Sequence, residues 1–349
     1  MLIQIEAFDP LFFRDGKPFS AGGDIWADGA GLPMPSVIYG ALRATYAVHH
    51  AIPPEQIEEK TKNFRITDLY YSVRGHRYLL PAPLDLAVEE KPEKTYHGYY
   101  YYRRPISSKI ITNFGFSEVI MPEKQSLKES LGFLIQETSF RNYLQGKKKN
   151  IYLKKIKEYL HEEPKIGIVY NMATHSVEEG FLYRVGTQRF EIKLSVEIEG
   201  LNDFPKKGLM KLGGEGKAAR FDSISNFGSK IIPKEHSLKK GSVFKLYLAS
   251  PAIFHQGAYP DLERFGFSCK LITAAIPKPV AIGGFDIQKN RPKPTYQVVP
   301  AGAVYYYRND NDDPKLIIEK LHQKMISDVY SEQGFGLSFI ANLPLESKK

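Results

Sequence analysis

Twice along this chain a glycine-rich loop runs into a short apolar strand. The first is Leu212-Gly-Gly-Glu-Gly-Lys217 before Ala218–Ile224, and the second is Gln333-Gly-Phe-Gly336 before Leu337–Ile340. Each closes a stretch that opens on a strand of its own, Leu2–Phe8 in the first half and Ser242–Ser250 in the second. Short strands must pair in sheets, so the pattern excludes an all-helical fold and predicts two related α+β units, although no exact internal repeat accompanies it. The 349 residues suffice for two domains, each with its own core.

Between the paired features the first half reads strand, helix, hairpin, helix, strand. Ser36 is the expected N-cap of a helix over Val37–Val48, where Val37, Ile38, Ala41, Leu42 and Thr45 form the apolar stripe and Arg43 falls outside it. A hairpin is expected from Gly180–Arg184 and Arg189–Ile198, a helical stretch from Pro205 to Lys211, and a strand at Lys165–Val169. Residues 53–164 interrupt this order as a large insertion. Within it, Lys147–Leu160 predicts a basic amphipathic helix, and Tyr96–Arg104 is a run of aromatics ending in paired cations. In the second half, strands are expected around Gln297 and at Val304–Tyr307. A helix should start at Asp313-Pro314 with Ile318, Leu321, Met325 and Val329 buried. The order is that of ferredoxin-like (RRM-like, βαββαβ) domains, with the insertion in the first.

The 48 Lys and Arg against 39 Asp and Glu leave a formal charge of +9, which favours an anionic partner where the cations cluster. Cys269 is the single cysteine, so no internal disulfide and no cysteine-only metal site is possible. A soluble, unprocessed protein of the reducing cytoplasm is expected, since no run of about 18 apolar residues is present. No metal-ligand spacing is present, and no cofactor is expected.

Three segments carry binding chemistry. Asp9–Phe19 joins the first strand to a loop with Arg14, Lys17 and Phe19, offering stacking faces and phosphate partners from one anchor. The helix start at Ser36 directs unpaired N–H groups toward the end of that strand. Gly213, Gly214 and Gly216 let backbone approach an anion, with Lys217 and Arg220 alongside. Glu215 and the spacing exclude a nucleotide-triphosphate loop, and a tight turn would use the same glycines. Gly283-Gly284 is a weaker version of the same device. For catalysis, the His49-His50 pair beside Tyr46 and Arg43 is the strongest candidate as a general base toward a ribose hydroxyl.

Taken in order, Phe12-Phe-Arg-Asp-Gly-Lys-Pro-Phe19, Pro33-x-Pro-Ser-x-x-Tyr-Gly-Ala-Leu-Arg43, Leu212–Lys217 and Ile282-Gly-Gly-Phe-Asp286 resemble the RAMP superfamily of CRISPR effector proteins. Within it they resemble the subunit-three family of the type III-B Cmr complex. The resemblance runs from residue 1 to about 340 and leaves the insertion unmatched. It implies two ferredoxin-like domains, 1–240 and 241–349, in a non-enzymatic ribonucleoprotein subunit of antiviral defence. It further implies binding to the 5′ tag of the CRISPR RNA, and contact with the large polymerase-like subunit and the backbone RAMP subunits; target RNA is met indirectly. Carried onto this chain, the RNA-contact set is Arg14, Lys17, Phe19, Ser36, Tyr39, Arg43, Gly213, Gly214, Glu215, Gly216, Lys217 and Arg220. His255, Gln256, Gly283 and Gly284 complete it. The alternative within the same superfamily is a CRISPR-RNA-processing endoribonuclease using His49 or His50.

Overall fold

The computed structural model describes residues 1–13, 26–27, 31–74, 76–106, 115–122, 126–148, 150–171, 173, 175–225, 238–286 and 291–344. The chain is mixed α and β, with sheet dominant, and divides into two compact units. The first comprises Met1–Ile66, Lys157–Ser225 and Val280–Gln297; the second comprises Thr67–Ile156, Asn226–Pro279 and Val298–Lys349.

In the first unit, β1 (Leu2–Ala7) is flanked antiparallel by β2 (Lys193–Glu199) and β4 (Ala218–Ile224), with β3 (Lys207–Lys211) beyond β4. Alternation over Ile3–Glu6 marks the register: Ile5 lies opposite both Leu194 and Phe221, and all three are buried, whereas Gln4 and Glu6 take the other face. Helix α1 (Pro35–His49) buries Ile38 and Leu42 and packs on β3.

Three expectations change here. Helix α1 starts one residue before Ser36, with Met34 as an extended N-cap and Pro35 in the first turn. Proline lacks the N–H that a cap would satisfy, so it opens the helix and displaces Ser36 from the capping position. The stretch from Pro205 to Lys211 ends in strand β3, in which exposed Leu209 alternates with buried Met210, a period of two that no helix sustains. The expected 180–198 hairpin does not form. Ser176–Val185 pairs with Lys165–Asn171, Gln188–Phe190 pairs with Leu160–Glu162, and β2 pairs with β1. A bend at buried Ile192 breaks the apparently continuous arm, letting its two halves serve different sheets.

In the second unit, β5 (Val243–Leu248) is flanked antiparallel by β7 (Val304–Asn309) and β8 (Leu337–Ala341), with β6 (Cys269–Ala275) outside β7. Phe244, Leu246 and Leu248 pack against Tyr305, Tyr307, Ile317, Leu321 and Ile340 on one face. Helix α3 (Pro314–Leu321) supplies Ile317 and Leu321; the Asp313 carboxylate caps it by accepting from the Lys315 N–H at 2.9 Å. The helix ends at Leu321, so Met325 belongs to a strand, and Ile317 replaces it in the buried stripe.

Residues 67–156 belong to this second unit. Their strands His76–Pro81, Phe133–Gln136, Tyr152–Lys155, Thr95–Tyr100 and Leu86–Lys91 follow one another across a sheet. Among the described residues of 147–160 the expected basic helix is absent, and Tyr152–Lys155 is a strand. Helix α2 (Glu137–Leu144) ends before it, where Gly146 turns left-handed at φ +70° and a Cβ would run into the Leu343 carbonyl. Beyond it, buried Ile151, exposed Tyr152 and buried Leu153 alternate as a strand. From α2, Phe140 and Tyr143 cover the second face of the β5 sheet, meeting Tyr247 and Phe339.

At the centre of that second face, Lys245 and Asp85 form a fully buried ion pair at 3.0 Å. The Asp85 carboxylate also accepts from the hydroxyls of Tyr143 at 2.8 Å and Tyr306 at 2.7 Å. The Lys245 ammonium lies 3.8 Å from the centre of the Tyr143 ring and 4.6 Å from that of Tyr100.

Burial pushes the phenols of Tyr100, Tyr143, Tyr247, Tyr305 and Tyr306 well above the ordinary tyrosine range, and the Asp85 charge adds to this at Tyr100, Tyr143, Tyr247 and Tyr306. In the unfolded chain these groups lose their protons near pH 10, whereas in the folded chain they keep them. Stability therefore falls as pH rises above about 10, by about 1.4 kcal/mol per pH unit for each phenol. Burial lowers Lys245, partly countered by Asp85, and this works in the opposite sense as one group against many, since burial also raises Tyr71, Tyr78 and Tyr307. The urea midpoint should hold up to about pH 9 and drop steeply between about pH 10 and 11. An unchanged midpoint at the alkaline end would contradict the burial of these phenols.

Candidate nucleic-acid interface

The loop Leu212–Lys217 connects β3 to β4 as a hairpin end, closed by a Leu212 N–H to Lys217 carbonyl bond of 3.0 Å. It is docked onto the segment that follows β1: the Gly214 N–H donates to the Phe12 carbonyl at 2.8 Å. Gly213 makes that approach possible. Its φ is +79°, and a Cβ there would stand 2.6 Å from the Phe12 carbonyl oxygen and 3.1 Å from the Phe13 ring. Phe12 and Phe13 are buried anchors, as their place beside a turn suggests, with Phe13 edge-on to Phe190 at 5.8 Å. The Leu11 and Gln188 backbones exchange hydrogen bonds of 2.8 Å, and the Asp9 carboxylate accepts from the Ala218 N–H at 3.1 Å. Glycine loop and opening segment are thus one rigid edge of the first unit.

The cations on this edge differ in commitment. Arg220 is held by Glu6 at 2.5 Å and Asp222 at 3.3 Å, while Lys193 reaches Glu6 at 3.0 Å. Partial burial pushes the Glu6 carboxyl up, but the hydrogen bonds and charges of Lys193 and Arg220 together hold it below its usual value. Among the described residues Lys217 forms no ion pair, so its charge is available to a ligand in a way that of Arg220 is not. Arg14, Lys17 and Phe19 lie outside the described residues.

The remaining sequence-derived positions separate. Tyr39 is a core residue: its ring stacks on Phe64 at 4.3 Å and its hydroxyl donates to the Phe64 carbonyl at 3.4 Å, so in this structure it is not an exposed base platform. Helical spacing placed it one step from the stripe of Ile38 and Leu42, and Phe64 extends the buried surface to reach it. Ser36 and Arg43 are half-buried on α1. Gly283 and Gly284 are exposed in the first unit, ahead of a short hairpin in which Lys293 N–H donates to the Gly284 carbonyl at 2.9 Å. His255 and Gln256 are exposed in the second unit, on a turn fixed by a 2.7 Å bond from the His255 N–H to Asp328.

His49 and His50 are exposed at the C-terminal end of α1, where imidazolium charge suits the helix dipole. His50 contacts the Asp203 carbonyl through Nε2 at 3.3 Å and leans on Tyr46 at 4.4 Å. Among the described residues no group of three or more His, Cys, Asp or Glu side chains is arranged to hold a metal ion, and no helix is long and apolar enough to cross a membrane.

The family model described as CRISPR-associated protein (Cas_Cmr3) matches residues 3–343. The chain belongs to that family. Two solved structures share its fold. One is described as the cryo-EM structure of the Type III-B Cmr-beta bound to cognate target RNA, with 16% identity, a TM-score of 0.51, and coverage of 88% of this chain and 86% of that one. The other is the same assembly bound to cognate target RNA and AMPPnP, state 1, with 15% identity, a TM-score of 0.50 and the same coverage. No curated protein matches the chain closely enough to count.

Proposed function

We propose that this Cas_Cmr3 protein is a non-catalytic subunit of a type III-B CRISPR effector that binds the 5′ tag of the CRISPR RNA and links the large polymerase-like subunit to the backbone RAMP subunits. Family membership and the two Cmr-beta folds support the assembly. The observation that carries the tag site is the Gly213–Lys217 loop locked onto Phe12–Phe13 with Lys217 uncommitted, immediately before Arg14 and Lys17 in the chain. A single-stranded tag needs phosphate partners and close backbone approach, and this edge supplies both. Arg14, Lys17, Phe19, Ser36, Arg43 and the glycine loop are the proposed contact set; Arg220 serves it as a positioning residue through Glu6.

In this reading the two ferredoxin-like units are 1–240, interrupted by the insertion 53–164, and 241–349; outside the insertion the first keeps α1 and the second α3. The support is topological: β1 sits between β2 and β4 as β5 sits between β7 and β8, in each case with both neighbours antiparallel.

The test is binding of a tagged CRISPR RNA to the purified protein across a salt series. Arg14→Ala plus Lys217→Ala should weaken binding about tenfold and flatten the salt slope by about 1.4, at 0.7 for each single-strand phosphate released. Unchanged affinity and slope would remove the site. Metal-independent cleavage of repeat RNA, abolished by His49→Ala or His50→Ala, would replace the scaffold with the endoribonuclease.

A further inference from the structure

Where strands Thr95–Tyr100 and Tyr152–Lys155 run side by side, the insertion contains a cleft of about 160 Å³. Lys94, Thr95, Gln136, Tyr152 and Lys154 line it over a floor of buried Tyr96 and Leu153. Nearby Lys91 and Lys128 are neutralised by Glu89 at 2.8 Å and Glu90 at 3.1 Å, and Glu137 is paired with Arg141 at 2.9 Å. Lys94 and Lys154 form no ion pair among the described residues. Exposed Glu93 is Lys94's neighbour in the chain and offsets part of this charge.

Two further features mark the cleft. Tyr152 is 40% exposed and its ring meets His97 edge-to-face at 4.9 Å, so an aromatic side chain stands open in a cleft that two cations also line. The turn that brings Lys94 to the cleft is strained, because Glu93 and Lys94 both adopt left-handed backbone, at φ 62° and 54°. Neither is a glycine, and a hydrogen bond of 3.1 Å from the Thr95 hydroxyl to the Pro92 carbonyl holds the turn in place.

We propose that this cleft is a single-stranded RNA site that takes one nucleotide, its base on Tyr152 and its flanking phosphates on Lys94 and Lys154. Every base has a face to stack, and the Gln136 amide offers both a donor and an acceptor to a base edge. Cavities that enclose a small molecule run to about 300–1,000 Å³, so this smaller cleft suits one unit of a chain that continues across the surface. Bases of a duplex are stacked and out of reach, which restricts the ligand to a single strand. The cleft lies wholly in the second compact unit and the glycine loop in the first, so this site and the tag site fail separately.

The test uses the full-length protein with fluorescein-labelled oligouridine, read by anisotropy, and thiouridine photo-crosslinking mapped by peptide. Tyr152→Ala should weaken binding about tenfold while Tyr152→Phe retains it, since stacking needs the ring and not the hydroxyl. Lys94→Ala plus Lys154→Ala should lower the salt slope by about 1.4. The crosslink should fall on the peptide carrying Tyr152 and persist in Arg14→Ala plus Lys217→Ala. Charge reversal at the exposed rim, Lys94→Glu, gives a second readout independent of the strand that Tyr152 belongs to. Oligouridine binding that is indifferent to all these changes, or a crosslink elsewhere, would overturn the proposal and leave the tag site standing. Displacement of oligouridine by an equal concentration of uridine monophosphate would overturn it in favour of a free-nucleotide pocket.

Discussion

Lys245→Met should destabilise the protein by about 3–5 kcal/mol, measured as the loss in unfolding free energy from urea titration at neutral pH. Methionine keeps the volume and apolar stem of the lysine, so packing changes little and the loss reports charge. What remains is a fully buried Asp85 carboxylate holding the hydroxyls of Tyr143 and Tyr306 with no cation beside it. Two phenol donors spread that charge but do not cancel it. Asp85→Ala should be at least as damaging, because among the described residues the ammonium then keeps the Tyr143 and Tyr100 ring faces and no anion. The damage should reach residues 67–156: Asp85 and Tyr143 come from that stretch, while Lys245 and Tyr306 come from strands β5 and β7. Protection of Tyr143 and its neighbours in α2 from hydrogen exchange should fall with the global stability. A loss below about 1 kcal/mol in Lys245→Met, the range of exposed pairs, would show that this pair is not desolvated as the geometry indicates.

Gly213→Ala should cost about 2–4 kcal/mol locally, against about 1 kcal/mol for Gly216→Ala. Both glycines are left-handed, at φ +79° and +65°, so both substitutions carry the same backbone penalty. They differ in what a methyl group would meet. At Gly216 the space is open, whereas at Gly213 it meets the Phe12 carbonyl oxygen at 2.6 Å, a backbone atom that cannot swing aside. The loop must then lift, losing the 2.8 Å bond from Gly214 to Phe12 and uncovering the Phe13 ring. Limited proteolysis should cut the Gly213→Ala protein between residues 212 and 217 faster than the parent, with Gly216→Ala close to the parent. Equal rates for the two variants would mean that the loop is not held against Phe12. Under the proposed function the same variant should also lose tag affinity, through misplacement of Lys217.

Much of the framework is legible in the chain. The apolar alternation of Leu2–Ala7, Ala218–Ile224 and Val243–Leu248 reads as strand, and Pro314 behind Asp313 reads as a helix start; all are found in place. The failures share a cause. Pro205–Lys211 and Lys147–Leu160 carry lysines and apolar residues at spacings compatible with either period, and only a partner strand decides between them. The site divides in the same way. Glycine content marks the 213–217 loop, but no local pattern shows that Arg220 is committed to Glu6 or that Tyr39 is stacked under Phe64. Lys94 sits in a turn 58 residues before Tyr152, which shares a strand with Lys154, and no motif joins them.

By itself, therefore, the sequence determined the strand-rich composition of the two halves, the two glycine-loop and strand pairs, and the family motifs, because each of these is written in residues within a few positions of one another. Tertiary structure alone decided which compact unit residues 67–156 join, which cations stay uncommitted, and that a lysine in the middle of an apolar strand is paired rather than exposed. Each of those depends on groups from distant parts of the chain losing water together, and desolvation sets both the cost of a buried charge and the partners it must find.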